Sequence, residues 1–325
     1  MRFISVRLLH SLFVLWAVVS LMFLMFRLMP GDPMAAYISE ALSEESRRSI
    51  RAQFGLDRSL WEQYFIYLGN LCQGKLGTSF FLKEPVWDVV MAALPNTLAM
   101  TISALVLAYL FGVIAGAFLA WRRGSLAEGV SIPLVLATRA APEFWVGMIL
   151  LAIFAFSLGW FPSGGAASPG AMYDSEWQRM LSLDFLHHLA LPVITLALYL
   201  QGLPLLLMRS TMLDVMQEEY ITMARMKGLS TPRIVLHHAA RNALLPVATA
   251  FTLSLGQLVG GNVVIEMVFS WPGLGRILVQ AVASSDYPLA QGAFLLVAFA
   301  LISMNFLADL LYALLDPRVS HDRKS

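Results

Sequence analysis

The sequence predicts an all-α membrane protein. Six transmembrane helices are expected, with both termini inside the cell and a small helical extracytoplasmic insertion between the first two helices. Three observations carry this. The chain is 58% hydrophobic and only 13% charged, where a soluble domain is about one quarter charged. Apolar runs approaching or exceeding the ~20 residues that a helix needs to cross a bilayer recur along the chain. Basic residues gather in the short connections on one side of those runs, the side that faces the cytoplasm.

The first run, 8–29, follows Arg2 and Arg7 as a signal peptide would. It is long for a signal h-region and no clear small-residue cleavage site follows, so it reads as a retained anchor. The later runs cover 94–121, 132–160, 186–208, 244–269 and 290–315, and Arg122-Arg123 stop the first of these. Three parts follow: an N-terminal helix (1–29), an insertion (30–93) and a core of five helices (94–325) with a polar loop at 209–243. In the insertion, Ser43 can cap a helix ending near Gly55. Ser59 and Glu62 have capping-box spacing for another, with Trp61, Tyr64, Phe65 and Leu68 on its apolar faces. A lid for an outside partner and a purely structural cap both fit this segment.

Composition also excludes. A net charge of +1 gives no reason to expect nucleic acid. One cysteine, Cys72, forms no intrachain disulfide and argues against a Cys-based metal site. The stretch Gly74-Lys75-Leu76-Gly77-Thr78-Ser79 lacks the spacing of a phosphate-cradling loop. The pairs His187-His188 and His237-His238 point apart on a helix, so neither chelates a metal from one face. HExxH and GxSxG patterns are absent, which leaves a membrane enzyme without a nucleophile and base. A passive channel stays open as an alternative. If ATP drives the protein, another subunit hydrolyses it.

Polar groups inside apolar runs are costly and usually face a bundle interior or a pathway. Arg139 and Glu143 lie four apart around Pro142, which should kink the third helix, with Trp145 just beyond. Gln257, Asn262 and Glu266 mark the fifth run. Asn305, Asp309, Tyr312 and Asp316 form a polar stripe on the sixth. These residues either line or brace a translocation route, or pair with one another or with a sister subunit, Asp309 with Arg139 being one such pair. Gly112 with Gly116, and Gly256 with Gly260, are small-residue steps that let helices approach.

The stretch 218–246 is a polar, basic interruption between two apolar runs. Met216, Tyr220, Met223 and Lys227 share one helical face; Tyr220, Ala224 and Gly228 share an overlapping one that ends in two small residues. Glu218, Glu219, Arg225 and Lys227 surround that notch with charge. Gly228 stops the helix and Pro232 follows. A docked protein suits this surface; a helix lying on the membrane is the other reading.

This run resembles the cytoplasmic "EAA" loop of ABC-importer permeases, its Ala-x-x-x-Gly core matching Ala224 to Gly228. EYITMARMKGLS, HAARNALLP, VFSWPGLGR and SSDYPL are similar to the oligopeptide/dipeptide/nickel permease family. So are MPGDP, FGLDRSLWEQY, LGTS and LDPRV, in the family's order over the whole chain. The chain departs from the pattern where the EAA letters read Thr222-Met223-Ala224, and where Glu143 follows Pro142 in place of the usual residues. The resemblance implies a type I permease in a bacterial inner membrane. A homologous second permease completes the pore, two cytoplasmic ATPases dock on the loops with ATP and Mg on those subunits, and an extracytoplasmic solute-binding protein delivers substrate. Lipid is the remaining partner, and this chain binds no cofactor or metal of its own. By the same resemblance Glu218, Glu219, Tyr220, Ala224, Arg225 and Gly228 couple to the ATPases. The turn of Trp271, Pro272, Gly273 and Gly275 sits at the outer mouth, in contact with the binding protein or as a structural re-entrant turn. Short peptides are the expected cargo; nickel or a metal chelate, glutathione and opine-like solutes belong to the same family.

Overall fold

The computed structural model describes residues 2–28, 58–257 and 262–315. Among these it is helical, with one isolated antiparallel bridge between Thr78 and Pro85. In chain order the first helices are α1 (Arg2–Leu28), α2 (Leu60–Cys72), α3 (Val86–Trp121), α4 (Leu126–Ala140) and α5 (Glu143–Leu150), which runs on as the π-helix π1 (Leu151–Ser157). Next come α6 (Glu176–Met180), α7 (Leu183–Leu200), α8 (Gly202–Val215), α9 (Glu219–Met226) and α10 (Thr231–Arg233), which continues as a second π-helix, π2 (Ile234–Ala239). The last are α11 (Ala240–Gln257), α12 (Val263–Val268), α13 (Leu274–Ala283) and α14 (Tyr287–Leu315). The chain forms two compact units, Met1–Thr97 with Pro272–Ser303 and Leu98–Trp271 with Met304–Ser325.

In the first unit, α2 begins at the expected capping box. The Ser59 N–H donates to Glu62 Oε2 at 3.0 Å, and the Glu62 N–H donates back to Ser59 Oγ at 3.4 Å. Two unpaired donors of the helix start are thereby satisfied. Phe23 of α1 packs on Tyr64 and Tyr67, with ring centroids 5.3 and 5.6 Å away, while Trp61 and Phe65 stay exposed. Val86 and Val90 at the start of α3 are buried with Leu274 and Ala281 of α13 and Leu289 of α14. The fully buried Asp286 ties this unit together. Its carboxylate accepts the Ser79 hydroxyl, the N–H groups of Phe80 and Phe81 at 3.2 and 3.0 Å, and the Leu289 N–H at 3.2 Å. A buried carboxylate is tolerated only with this many donors.

In the second unit, Gly112 and Gly116 of α3 do what their spacing suggests. A Cβ on Gly116 would stand 2.4 Å from the Leu205 carbonyl oxygen, and one on Gly112 2.8 Å from Pro204 Cγ. Only glycines allow α8 to lie this close. The core of this unit gathers Met100 and Ala104 of α3, Phe185 and Leu196 of α7, Ile265 of α12, and Trp271.

The helix boundaries differ from the predicted runs. Four helices among the described residues are long and apolar enough to cross a membrane, or five if α4 and the α5–π1 pair count as one bent span. The third run does not kink at Pro142; it breaks, with a bend of 106°. Proline pushes the residue before it out of the helical region. Ala141 accordingly takes φ −70°, ψ 142°, and Pro142 starts α5 as its cap residue. The run at 186–208 is two helices parted at Gln201, and α8 continues to Val215. The run at 244–269 is α11, which begins among Arg241 and Asn242, and the short α12. Helix α3 starts at Val86 rather than at 94. The Ser43–Gly55 helix, Gly260, Asp316 and the MPGDP motif lie outside the described residues, as do the side chains of Gln257 and Tyr312.

Candidate functional site

Helix α8 is closed by a turn in which the Met216, Gln217 and Glu218 N–H groups bond back to Met212, Asp214 and Val215. Glu218 then becomes extended (φ −68°, ψ 148°) and caps α9. Met216 therefore belongs to the end of α8 and does not share a face with Met223, contrary to the sequence expectation. Helix α9 ends in a Schellman motif. The Gly228 N–H bonds to the Arg225 carbonyl at 2.9 Å and the Leu229 N–H to the Ala224 carbonyl at 3.3 Å, with Gly228 at φ 75°. That conformation is why glycine stands there.

The two faces of α9 differ from the predicted notch. Ile221 and Ala224 turn inward and are buried, and α9 packs on π2, where Ile234, Val235 and Ala239 are also buried. Tyr220 clasps the same side: Asn242 Nδ2 donates to its hydroxyl at 2.6 Å, and the hydroxyl faces the His238 carbonyl at 3.4 Å. Ala224 is thus a packing residue of this chain and not part of an open notch. The outward face carries Glu219, Thr222, Met223 and Met226, with Arg225 beside it. Met223 is 60% exposed and Met226 82%. Glu218, Arg225, Lys227 and Gly228 are exposed.

The polar residues of the membrane zone fall on five helices, α4, α5, α11, α12 and α14. Arg139 ends α4 and Glu143 begins α5, so the break parts a pair that the sequence put on one helix. Arg139, Pro142 and Trp145 are exposed, and Glu143 is half-buried. Helix α5 packs on α12, where a Cβ on Gly147 would stand 3.3 Å from the Phe269 ring. Glu266 on α12 is 0% exposed in this chain. Asn262 caps α12 without a side-chain hydrogen bond to it, and Gln257 ends α11. Asp309 is half-buried on α14. Among the described residues no group of three or more His, Cys, Asp or Glu is arranged to hold a metal.

The predicted outer-mouth turn divides between the two units. Trp271, 0% exposed, closes a second Schellman motif, its N–H bonded to the Glu266 carbonyl at 2.8 Å and its ring 5.5 Å from that of Phe185. Pro272, Gly273 and Gly275 belong to the first unit. There the Pro272 carbonyl accepts from Asn96 Nδ2 at 2.9 Å, and Leu274 N–H donates to Thr97 Oγ1 at 2.8 Å. Gly273 caps α13 and Gly275 is buried. Of the four, Pro272 alone is exposed.

Three contacts escaped sequence reasoning. Arg209 of α8 pairs with Glu128 of α4; Asp184 holds Ser168 and Tyr173 of the 160–182 connection; and Asp286 holds Ser79. Ser125-x-x-Glu128 has cap spacing, and LGTS and SSDYPL stood out as motifs. Nothing local joins residues 81 or 207 positions apart.

Residues 108–321 match the family model described as binding-protein-dependent transport system inner membrane component, and residues 1–101 match that of the N-terminal part of such membrane components. The chain is 40% identical over 322 residues to a di/tripeptide transport system permease protein, DppB, of Pseudomonas aeruginosa, covering 95% of each chain. It is 36% identical over 317 residues to the oligopeptide transport system permease protein AppB of Bacillus subtilis, covering 97% of this chain and 98% of the relative. It is 35% identical over 321 residues to the glutathione transport system permease protein GsiC of Escherichia coli, covering 99% of both.

Proposed function

The chain belongs to the family of binding-protein-dependent transport system inner membrane components, and on that premise we propose that it is one permease subunit of an ATP-driven importer of short peptides. It is a multi-pass protein of the bacterial inner membrane. The observation that carries the coupling half of the proposal is helix α9. It follows α8 directly, is fastened to its own chain by Ile221, Ala224 and Tyr220, and presents Met223 and Met226 outward between charged neighbours. Apolar side chains left uncovered inside a charged rim suit a protein partner, here a cytoplasmic ATPase subunit.

The remaining parts follow the family. Six crossings with both termini inside put α9 in the cytoplasm and the 30–93 insertion outside, ahead of a core at 94–325. A homologous permease completes the pore. ATP and Mg are bound and ATP is hydrolysed on the two ATPase subunits, and a solute-binding protein delivers cargo. Relatives named for di/tripeptides and oligopeptides support a peptide cargo. The relative named for glutathione supports a second reading within the same chemistry, since glutathione is itself a modified tripeptide.

The test is uptake in proteoliposomes holding the whole transporter, supplied with binding protein and labelled tripeptide, glutathione or a nickel chelate. ATP-dependent accumulation of peptide is expected. Flux through this chain alone without ATP would establish a passive channel instead, and accumulation of the chelate alone would replace the peptide reading.

A further inference from the structure

Movement at a docking helix drives transport only if something rigid carries it into the spans. Helix α8 leads straight from the membrane zone to α9, and two attachments fix it to α4. At one end Gly202 lies against α4: a Cβ there would stand 3.3 Å from Arg139 Cδ and 3.5 Å from Val135 Cγ1. Val135 and Leu205 share a small buried cluster with Leu119. At the other end Arg209 Nε donates to Glu128 Oε1 at 2.7 Å, and Nη2 donates to the same oxygen. The second oxygen, Oε2, accepts the Gly124 N–H at 2.5 Å. The side chains of Arg209 and Glu128 are only 25% and 11% exposed. A charge-assisted contact with two donors has a defined geometry and resists sliding better than an apolar contact does.

We propose that Glu128 and Arg209 are positioning residues for transport. They clamp α4 to α8 so that displacement of α9 is delivered to the break at Ala141–Pro142. The clamp and the Gly202 contact sit toward opposite ends of α4, so the two helices move as one body. Helix α4 ends at the 106° break, and on its far side α5 packs on α7 and α12. A shift of α8 is therefore expressed as a change of angle at residues that are already non-helical, where the hydrogen-bonding cost of bending is least. Clamp residues touch neither cargo nor ATP, so their loss should change the uptake obtained per ATP and not the binding of either.

This proposal rests on the importer reading, and the experiment separates the two. In proteoliposomes of the complete transporter, Glu128→Gln removes the charge and Arg209→Lys keeps a charge but loses the fork. Uptake per ATP hydrolysed is expected to fall about tenfold in the first and about threefold in the second, in line with the loss of a charged hydrogen bond and of the paired guanidinium donors on Oε1. ATPase co-purification and basal hydrolysis should be preserved. If Glu128→Gln does not insert, Arg209→Lys carries the test. A Glu128→Cys, Arg209→Cys pair in a Cys72→Ser background adds a control: uptake per ATP should recover when a short bis-methanethiosulfonate cross-linker, which forms a disulfide with each cysteine and releases methanesulfinate, joins the two sites, and fall again on reduction. Unchanged uptake per ATP in inserted variants, or no response to cross-linking, overturns the clamp. Absence of ATP-coupled uptake in the unaltered transporter overturns the importer reading instead.

Discussion

Helices α9 and α12 end in the same way and are used in opposite ways. Both close with a Schellman motif, Gly228 at φ 75° in one and Ser270 at φ 48° in the other. Beyond Ser270 the chain inserts Trp271 fully into the core; beyond Gly228 it passes through a short, mostly exposed polar connection, 229–233, before Ile234 is buried. The acidic residue on each helix follows suit, with Glu266 buried and Glu219 exposed. The same backbone device thus serves as a plug in one place and as a platform in the other. What distinguishes them is where the apolar side chains point.

The largest effect is expected from emptying the plug. Trp271→Ala should cost ~3–5 kcal/mol, the usual loss for a buried tryptophan, read as a fall in thermal midpoint in detergent. The platform should respond in function and not in stability. Replacing Met223 and Met226 together by glutamate should lower ATPase co-purification and uptake at least about tenfold, as loss of an interface hot spot does. The thermal midpoint should barely move. If that variant instead unfolds the protein, the two helices are alike after all. Gly228→Val forces a β-branched residue to positive φ and should cost ~1–2 kcal/mol locally. Hydrogen exchange at the end of α9 should speed up accordingly, and Gly228→Asn should be milder. A Cβ at Gly228 meets nothing within 4 Å, so the penalty is conformational and not a clash. Tyr220→Phe removes one acceptor from Asn242 and should cost about 1 kcal/mol, seen as faster exchange in α9 with transport largely kept. The smallest change is Ser270→Gly. It relieves the positive φ and should raise the thermal midpoint by less than the equivalent of ~1 kcal/mol.

What the sequence disclosed and what it hid divide along the range of the interactions involved. The Ser59–Glu62 capping box, the Gly228 stop and the Gly112–Gly116 step were legible because each depends on residues a few positions apart. The break at Pro142 was half legible. Proline announced a disturbance, but whether a helix kinks or stops depends on what Ala141 and the packed faces of α5 do next. Ala224 was misjudged because small size fits a tight internal contact as well as an external notch, and only π2 decides between them. The Glu128–Arg209 and Ser79–Asp286 contacts depend on which helices lie side by side, and one chain's periodicity does not report that.

Helix α3 carries a consequence for the bilayer itself. Its 36 residues extend to about 54 Å at 1.5 Å per residue, against about 40–45 Å for a whole bilayer with its headgroups. An upright α3 would therefore stand about 10 Å clear of the lipid, and only a tilt of roughly 35° would hide it. Its first turn exposes Trp87 and Asp88 on one side, while Val86 and Val90 on the other are buried against α13 and α14. Protein there takes over the solvent role that acyl chains play along the rest of the helix. The mismatch in length is met by local packing, with no need to thicken the membrane.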